Sequence, residues 1–243
     1  MSVVPSDARP FRTAIAVLAC MAATTASQRA QAAGGAFAVD DAEVGVPGSC
    51  KVESWASFAS NSDLVAVTSP ACVANIWRPV EIGGQFQRFR SGDEWGTTFT
   101  LKGKTNLVPI EPGKLGIALS GGVTIDLVNG ETRGVFLIIP LTFQINEQFR
   151  ININGGWARD PAAAQHFAIA GAGFEWNFVK PLTLITEVFA VAGSGQRNPR
   201  FQTGLRYTPI DNLDIDVIYG RNITGENADW ITVGLNVRFS AVK

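Results

Sequence analysis

The sequence predicts an all-β protein, an antiparallel up-and-down transmembrane β-barrel of about twelve strands. Strand-length segments of alternating apolar and polar residues are separated by turn residues along most of the chain. Charged residues make up 17% of the chain, below the roughly 25% of an average soluble protein. No apolar run after the N-terminal region reaches the roughly 18 residues that a membrane-spanning helix needs. We therefore expect strands, and not helices, to cross the membrane.

The first 32 residues have the features of a secretory signal peptide. Arg9 and Arg12 precede an apolar run, and the small-residue sequence Ala-Gln-Ala ends at Ala32. We expect cleavage after Ala32. An alternative is a lipoprotein-type site, because Val-Leu-Ala precedes Cys20 and would make that cysteine a lipidated N-terminus. Both alternatives direct the chain to a bacterial cell envelope.

Residues 33–49 are expected to form an extended periplasmic lead-in with little fixed structure. Cys50 and Cys72 follow in a compartment where disulfides persist. Their midpoint is Asn61, which begins a turn-like Asn-Ser-Asp sequence. A hairpin centred there places the two cysteines opposite one another, so we predict a cross-strand disulfide.

The barrel itself is predicted over residues 50–239, with residues 240–243 as a C-terminal tail. Its strands are predicted at residues 50–60, 63–73, 79–90, 95–106, 114–128, 134–145, 149–158, 166–178, 182–192, 200–208, 213–220 and 229–239. An even number is usual for a single-chain bacterial barrel, and the last strand is then expected to pair with the first. If the first hairpin lay outside the wall, the last strand would instead meet residues 79–90, giving ten strands.

Two further patterns are typical of an outer-membrane barrel. The first is an expected asymmetry of the connections, with the longer ones after odd-numbered strands, at residues 159–165, 193–199 and 222–228. The second is a set of aromatic residues near strand ends, where interfacial girdles form, namely Trp77, Trp95, Trp157, Trp176, Tyr207 and Trp230. The sixth strand is apolar on both faces, so its inner face is expected to be dry or packed.

The last strand resembles the terminal β-signal of bacterial outer-membrane barrels. That signal is a polar residue, a spacer, a glycine and two hydrophobic positions ending on an aromatic, here Thr232, Gly234, Val237 and Phe239. The resemblance implies that the barrel-assembly machinery binds this strand. The chain departs from the pattern in one respect, because four residues follow Phe239.

A wider resemblance covers roughly residues 78–239 and is strongest after residue 165. It rests on Gly-Phe-Glu-Trp at 173–176, Arg-Phe-Gln-Thr-Gly-Leu-Arg-Tyr-Thr-Pro at 200–209, Leu-Asp-Ile-Asp-Val at 213–217 and the start of the last strand. These residues resemble a family of proteobacterial outer-membrane barrels assigned to transport. That family includes proteins linked to aromatic-compound catabolism through a "MetA pathway of phenol degradation" label. The resemblance implies a barrel and a transport role, but no catalytic residues.

Charged residues on the predicted inner faces are the candidate site residues. They are Lys102, Lys104, Asp126, Arg150, Glu175, Glu187, Arg206, Asp214, Asp216 and Arg238. Arg206 is expected to approach Asp214 and Asp216 across a short turn, with Arg238 in the same neighbourhood. Lys102, Lys104 and Arg150 are expected to face Asp126. Two interpretations stay open: a structural network of paired charges, or a constriction that selects permeants by size and charge.

These observations favour a passive channel or porin in the bacterial outer membrane, for small solutes with aromatic compounds among the candidates. The alternatives are a closed structural or adhesion barrel, a lipid-modifying barrel enzyme and a soluble periplasmic barrel. An enzyme is not expected, because His166 is the only histidine and has no serine at matching height except Ser194. We expect no cofactor or metal, and the formal net charge of −1 gives no basic surplus for nucleic acid. Expected partners are membrane lipid and lipopolysaccharide. Arg88 and Arg90 are candidates for contact with lipopolysaccharide phosphate, the alternative being a solvated rim.

Overall fold

A computed structural model describes residues 36–193 and 196–240, and they form one closed antiparallel barrel around a short luminal segment. The twelve strands are β1 Ser49–Ala59, β2 Leu64–Asn75, β3 Pro79–Ser91, β4 Glu94–Val108, β5 Leu115–Asp126, β6 Thr132–Gln144, β7 Phe149–Asp160, β8 Gln165–Val179, β9 Leu182–Gly193, β10 Gln196–Ile210, β11 Leu213–Asn222 and β12 Asp229–Ser240. Each strand pairs with its neighbours in the chain. The all-β barrel class and the twelve predicted strands are therefore confirmed.

The barrel closes through pairing of its first and last strands. Ser49 lies opposite Ser240, and Ala59 lies opposite Trp230, so the alternative of ten strands is wrong. We call the end at Ser49 and Ser240 the proximal end, and the end at Ala59 and Trp230 the distal end. Among the described residues, no helix is long and apolar enough to cross a membrane.

The outer surface is apolar and the inner surface is largely polar, the reverse of a soluble domain. On β7, for example, Asn152 and Asn154 are buried inside the barrel while Ile153 and Trp157 are exposed outside it. Successive side chains of a strand point to opposite faces, so one alternating segment supplies both surfaces. An outward apolar face of this kind is suited to lipid.

The predicted disulfide between Cys50 and Cys72 is present, and the two residues are directly paired across β1 and β2. Both cysteines project from the outer face, because the neighbouring Ala71 and Val73 are buried inside. The bridge therefore joins the first hairpin of the wall near the proximal end.

Two expectations about the rim are corrected. The connection predicted at residues 193–199 is short, because β9 continues to Gly193 and β10 already begins at Gln196. The connections thus do not show the expected asymmetry. Trp230 is also not part of an outer girdle, since it is 5% exposed and faces the lumen. The five other aromatic residues named above are exposed near strand ends.

The inner wall of the distal half is packed with apolar side chains on strands β6 to β8. Phe136, Ile138, Ala158, Phe167 and Ile169 form one buried cluster, against which Val191 of β9 packs. This confirms that the inner face of the sixth strand is packed. A second apolar cluster, of Trp55, Val65, Val67 and Phe89, lines strands β1 to β3.

The expectation of a lead-in with little fixed structure is wrong for its described part, residues 36–48. These residues, which we call the luminal segment, lie inside the barrel, where Phe37, Val39 and Ala42 are buried. The predicted signal peptide, residues 1–32, lies outside the described residues. So do residues 241–243 of the predicted tail, whereas Ser240 belongs to β12.

Candidate functional site

The inner end of the luminal segment is fixed to the middle of the barrel wall by Glu187 of β9. The Ala38 N–H donates to Glu187 Oε1 at 2.6 Å, and the Val39 N–H donates to Glu187 Oε2 at 3.0 Å. The Gln202 amide of β10 also donates to Glu187 Oε1, at 2.6 Å. One buried carboxylate thus satisfies two backbone donors that have no strand partner.

The middle of the segment is held by amide and hydroxyl side chains of the opposite wall. Asn154 accepts from the Asp40 N–H at 2.7 Å and donates to the Asp40 carbonyl at 2.6 Å. Thr142 accepts from the Ala42 N–H at 2.8 Å, and Asn106 donates to the Ala42 carbonyl. The wall thereby replaces the ladder that a neighbouring strand would provide.

Acidic side chains of the segment pair with cations of the wall. Lys104 Nζ lies 2.8 Å from Asp40 Oδ1 and 3.2 Å from Asp41 Oδ1. Arg150 lies 3.1 Å from Asp41 and 3.0 Å from Glu43, and 2.9 Å from Glu175 on β8. Two of the predicted site cations therefore anchor the segment.

Packing contacts with wall residues also hold the luminal segment in place. Phe37 packs against Ile185 and Ile218, and the Arg206 guanidinium lies 5.5 Å from the centre of its ring. Gly171 leaves space for the segment, because a Cβ at that position would lie 2.8 Å from Val39 Cγ2. From Gly48 at the proximal end, whose N–H donates to the Val73 carbonyl, the segment crosses the lumen to mid-height. It therefore narrows the proximal half of the passage.

A second network of charges lies beside the segment on strands β10 to β12. Asp216 is fully buried and accepts from Arg206 Nε at 2.8 Å and Nη2 at 3.1 Å, and from the Asn236 amide at 2.9 Å. Asp214 accepts from the Thr208 hydroxyl at 2.8 Å and pairs with Arg238. The structure thus brings together the four residues that the sequence placed in one neighbourhood.

The expected contact of Lys102, Lys104 and Arg150 with Asp126 is wrong. Asp126 lies opposite Thr98 near the distal end, whereas Lys104 lies opposite Ser120, further toward the proximal end. The partner of Asp126 is Arg133, whose Nη2 is 2.9 Å away. Lys102 faces the lumen and forms no ion pair with a described residue.

Sequence reasoning missed several luminal residues. Lys51 lies 3.3 Å from Glu53 and 3.1 Å from Glu81, forming a small network on β1 and β3. Arg200 and Trp230 were missed as well, although both share the inward parity of neighbouring residues already identified as luminal. For Arg200 the signal was available, because Gln202 and Arg206 lie two and six residues further along the same face.

His166 does not belong to a catalytic arrangement in the described part of the protein. Its Nδ1 accepts a hydrogen bond from Trp157 Nε1 at 3.1 Å, on the outer face of β7 and β8. Ser194, the nearest predicted nucleophile, lies outside the described residues. Nor do three or more potential metal ligands cluster anywhere in residues 36–193 or 196–240.

The closed barrel has the fold of solved outer-membrane porins, several of which are similar to it. The KdgM porin superposes with a TM-score of 0.60 at 8% identity, covering 78% of this chain and 99% of that one. The NanC porin gives 0.61 at 6% identity, over 76% and 98%. The COG4313 outer membrane channel from Pseudomonas putida F1 gives 0.62 at 10% identity, over 81% and 97%.

The chain belongs to the family described as "Uncharacterised conserved protein UCP029691", whose model matches residues 21–239. A search of curated proteins found no significant match to the chain. The similarity to solved structures shows the fold, and the family model shows which proteins the chain is related to.

Proposed function

We propose that this protein is an outer-membrane channel for the passive passage of small solutes. The observation that carries the proposal is the pairing of an apolar outer surface with a charged and hydrogen-bonded lumen in a closed barrel. The outer surface is suited to hydrocarbon, and the lumen is suited to water and polar solutes. The names of the similar structures, two porins and an outer membrane channel, support the same function.

The luminal segment makes this a narrow channel. It occupies the proximal half of the lumen, and its acidic residues neutralise Lys104 and Arg150. A solute therefore passes beside a fixed and charged constriction, where size and charge both decide passage. We propose that the permeants are small solutes, with aromatic compounds among them because of the resemblance to the phenol-degradation barrels.

The proposed orientation places the proximal end in the periplasm, where a secreted N-terminus would remain. The distal outer face then meets lipopolysaccharide. There the Arg88 guanidinium lies 4.8 Å from the centre of the Trp95 ring and that of Arg90 lies 5.7 Å from it. Cations held at an interfacial aromatic residue are suited to lipid phosphate. We propose further that β12 carries the signal that the barrel-assembly machinery binds.

Uptake into proteoliposomes tests the proposal. The refolded protein is incorporated into vesicles, and swelling is followed with neutral sugars of increasing size and with benzyl alcohol and benzoate. We expect swelling with the smaller sugars and a sharp decline with the larger ones. Vesicles that contain folded, heat-modifiable protein but do not swell with any of these solutes would overturn the channel.

A closed structural barrel is the second candidate, and one observation favours it. The luminal segment is attached at Glu187, Asn154, Thr142 and Lys104, so a fixed plug is a natural description of it. The same vesicles distinguish the two functions, because a closed barrel predicts no swelling even with the smallest sugar.

A further inference from the structure

Two buried N–H groups in the distal half of the lumen have no hydrogen-bond acceptor among the described residues. They are Arg200 Nε on β10 and Trp230 Nε1 on β12. Buried donors are almost always paired, because an unpaired one loses its water without compensation. Two such donors in one region of a channel therefore point to an acceptor that the solute supplies.

The two donors lie on the two strands that flank β11, Trp230 directly opposite Gly220 and Arg200 one inward position further toward the distal end. Gly220 of β11 is paired with Gln202 on one side and with Trp230 on the other. A Cβ at Gly220 would collide with the indole ring, including Nε1, so the ring lies over this glycine and toward β10. Arg200 is two residues from Gln202 on the same face. The indole ring thus fills the space that a side chain at Gly220 would take, and this brings Trp230 Nε1 toward the strand of Arg200.

Arg200 also has no negative partner among the described residues, unlike the luminal Arg206 and Arg150. Arg206 contacts Asp216, and Arg150 contacts Asp41, Glu43 and Glu175. Arg200 forms no ion pair with any residue that the structure describes. A guanidinium with this freedom is suited to a carboxylate, which it can bind through two parallel hydrogen bonds.

The wall beside Arg200 is aromatic and apolar. Phe189 of β9 lies directly opposite Arg200 and shares the inward face of Glu187, two residues away. Val191 continues that face and packs on the apolar cluster of β6 to β8. The floor is the inner end of the luminal segment, where the Ala36 carbonyl accepts from Gln202 at 3.4 Å. A cation, an indole N–H and an apolar wall are the elements of a site for a small amphipathic anion.

We propose that Arg200 and Trp230 bind the carboxylate of a small aromatic acid on the distal side of the luminal segment. The apolar wall from Phe189 to Phe167 contacts the ring of the solute. The site meets the solute before the constriction if entry is from the distal end, and it selects aromatic carboxylates among the solutes of the proposed channel. The role of this site in selecting solutes rests on the proposed channel function, whereas its ability to bind an aromatic carboxylate does not.

Binding of benzoate to the refolded protein in detergent, measured by titration calorimetry, tests the site. We expect benzoate to bind at least about tenfold more tightly than benzyl alcohol, which lacks the charge, or acetate, which lacks the ring. Arg200→Gln is expected to weaken benzoate binding about tenfold or more, and Trp230→Phe by about three- to tenfold, since one donor is lost.

The matched control is Arg221→Gln. Arg221 lies at nearly the same height, opposite Phe201, but projects from the outer face beside Asp229. Its substitution removes the same charge from the other side of the wall and is expected to leave benzoate affinity unchanged. An equal loss in Arg221→Gln and Arg200→Gln would contradict the site.

Benzoate affinity equal to that of benzyl alcohol in the wild-type protein would overturn the inference, even if neither variant refolds. So would unchanged affinity in Arg200→Gln. Binding in detergent does not require conduction, so a protein that binds benzoate but does not conduct would contradict only the channel. A protein that conducts without binding benzoate would contradict only the site.

Discussion

Single luminal residues are stabilised by partners on two or three different strands. Asp216, for example, accepts hydrogen bonds from Arg206 on β10 and from Asn236 on β12. Removing either the buried carboxylate or its cationic partner is costly, because the charge that remains is then buried and unpaired. The lumen therefore has a fixed arrangement of charges and not a mobile one.

The first prediction concerns Asp216→Ala, which leaves the half-buried Arg206 guanidinium without its main partner. We expect the free energy of unfolding to fall by about 3–5 kcal/mol, as for a broken buried ion pair, measured by urea unfolding in micelles. Asp211→Ala is the control, because Asp211 lies in the exposed turn before β11 and its substitution is expected to change stability by less than about 0.5 kcal/mol. Equal stability of the two variants would show that the network contributes little.

Parity along the strands was enough to identify most inward residues, including Glu187, Arg206 and Asp216. It could not identify partners, since those depend on the register between strands and on the height of each residue in the wall. Asp126 and Lys104 share the inner face but lie opposite Thr98 and Ser120, at different levels. Trp230 shows the converse error, because an aromatic residue near a strand end suggested a girdle while its parity pointed inward.

At the scale of elements, the strands were predictable and the luminal segment was not. The strands have an alternating pattern that a barrel requires. The luminal segment has no such pattern, and its backbone partners are side chains distant in sequence, such as Asn154 and Glu187, which are 114 and 148 residues away. Such contacts have no local signature, although the acidic pair Asp40 and Asp41 could have been matched to unpaired luminal cations.

The second prediction is that Glu187→Ala releases the inner end of the luminal segment. The Ala38 and Val39 N–H groups lose their acceptor, and we expect faster amide hydrogen exchange at both residues. Mass spectrometry of peptides that contain residues 36–40 measures it. Thr186→Ala is the control, because Thr186 is adjacent and bonds instead to Thr203 at 2.8 Å. Unchanged exchange in Glu187→Ala would show that the other anchors are sufficient.

The third prediction uses shape and not charge. Gly171→Leu would place a side chain where Val39 Cγ2 lies, because even a Cβ there is only 2.8 Å from it. We expect the segment to be displaced and its exchange to rise as in Glu187→Ala. Gly155→Leu is the comparison, since a Cβ at Gly155 meets no atom within 4 Å. Equal amide exchange of the luminal segment in the two leucine variants would contradict the packing of Val39 against Gly171.

At the scale of the whole molecule, the pairing of β12 with β1 determines the number of strands in the wall and closes the lumen. Ser57 Oγ and Thr232 Oγ1 are 2.8 Å apart across this seam. Replacing both by cysteine is therefore expected to give a disulfide that changes gel mobility under non-reducing conditions. The pair Gln87→Cys and Thr232→Cys would be bridged only in a ten-stranded barrel and is expected to stay reduced. Crosslinking of the second pair would contradict the seam.

The most direct test of the account is single-channel conductance in planar bilayers, with the wild-type protein and a variant lacking residues 36–44. We predict discrete current steps for the wild type and larger steps for the variant, because removal of the luminal segment widens the proximal half of the lumen and water can satisfy the exposed wall. The absence of current steps for both folded proteins at every voltage would contradict the channel. Steps of equal conductance in the two proteins would contradict the constriction by the luminal segment.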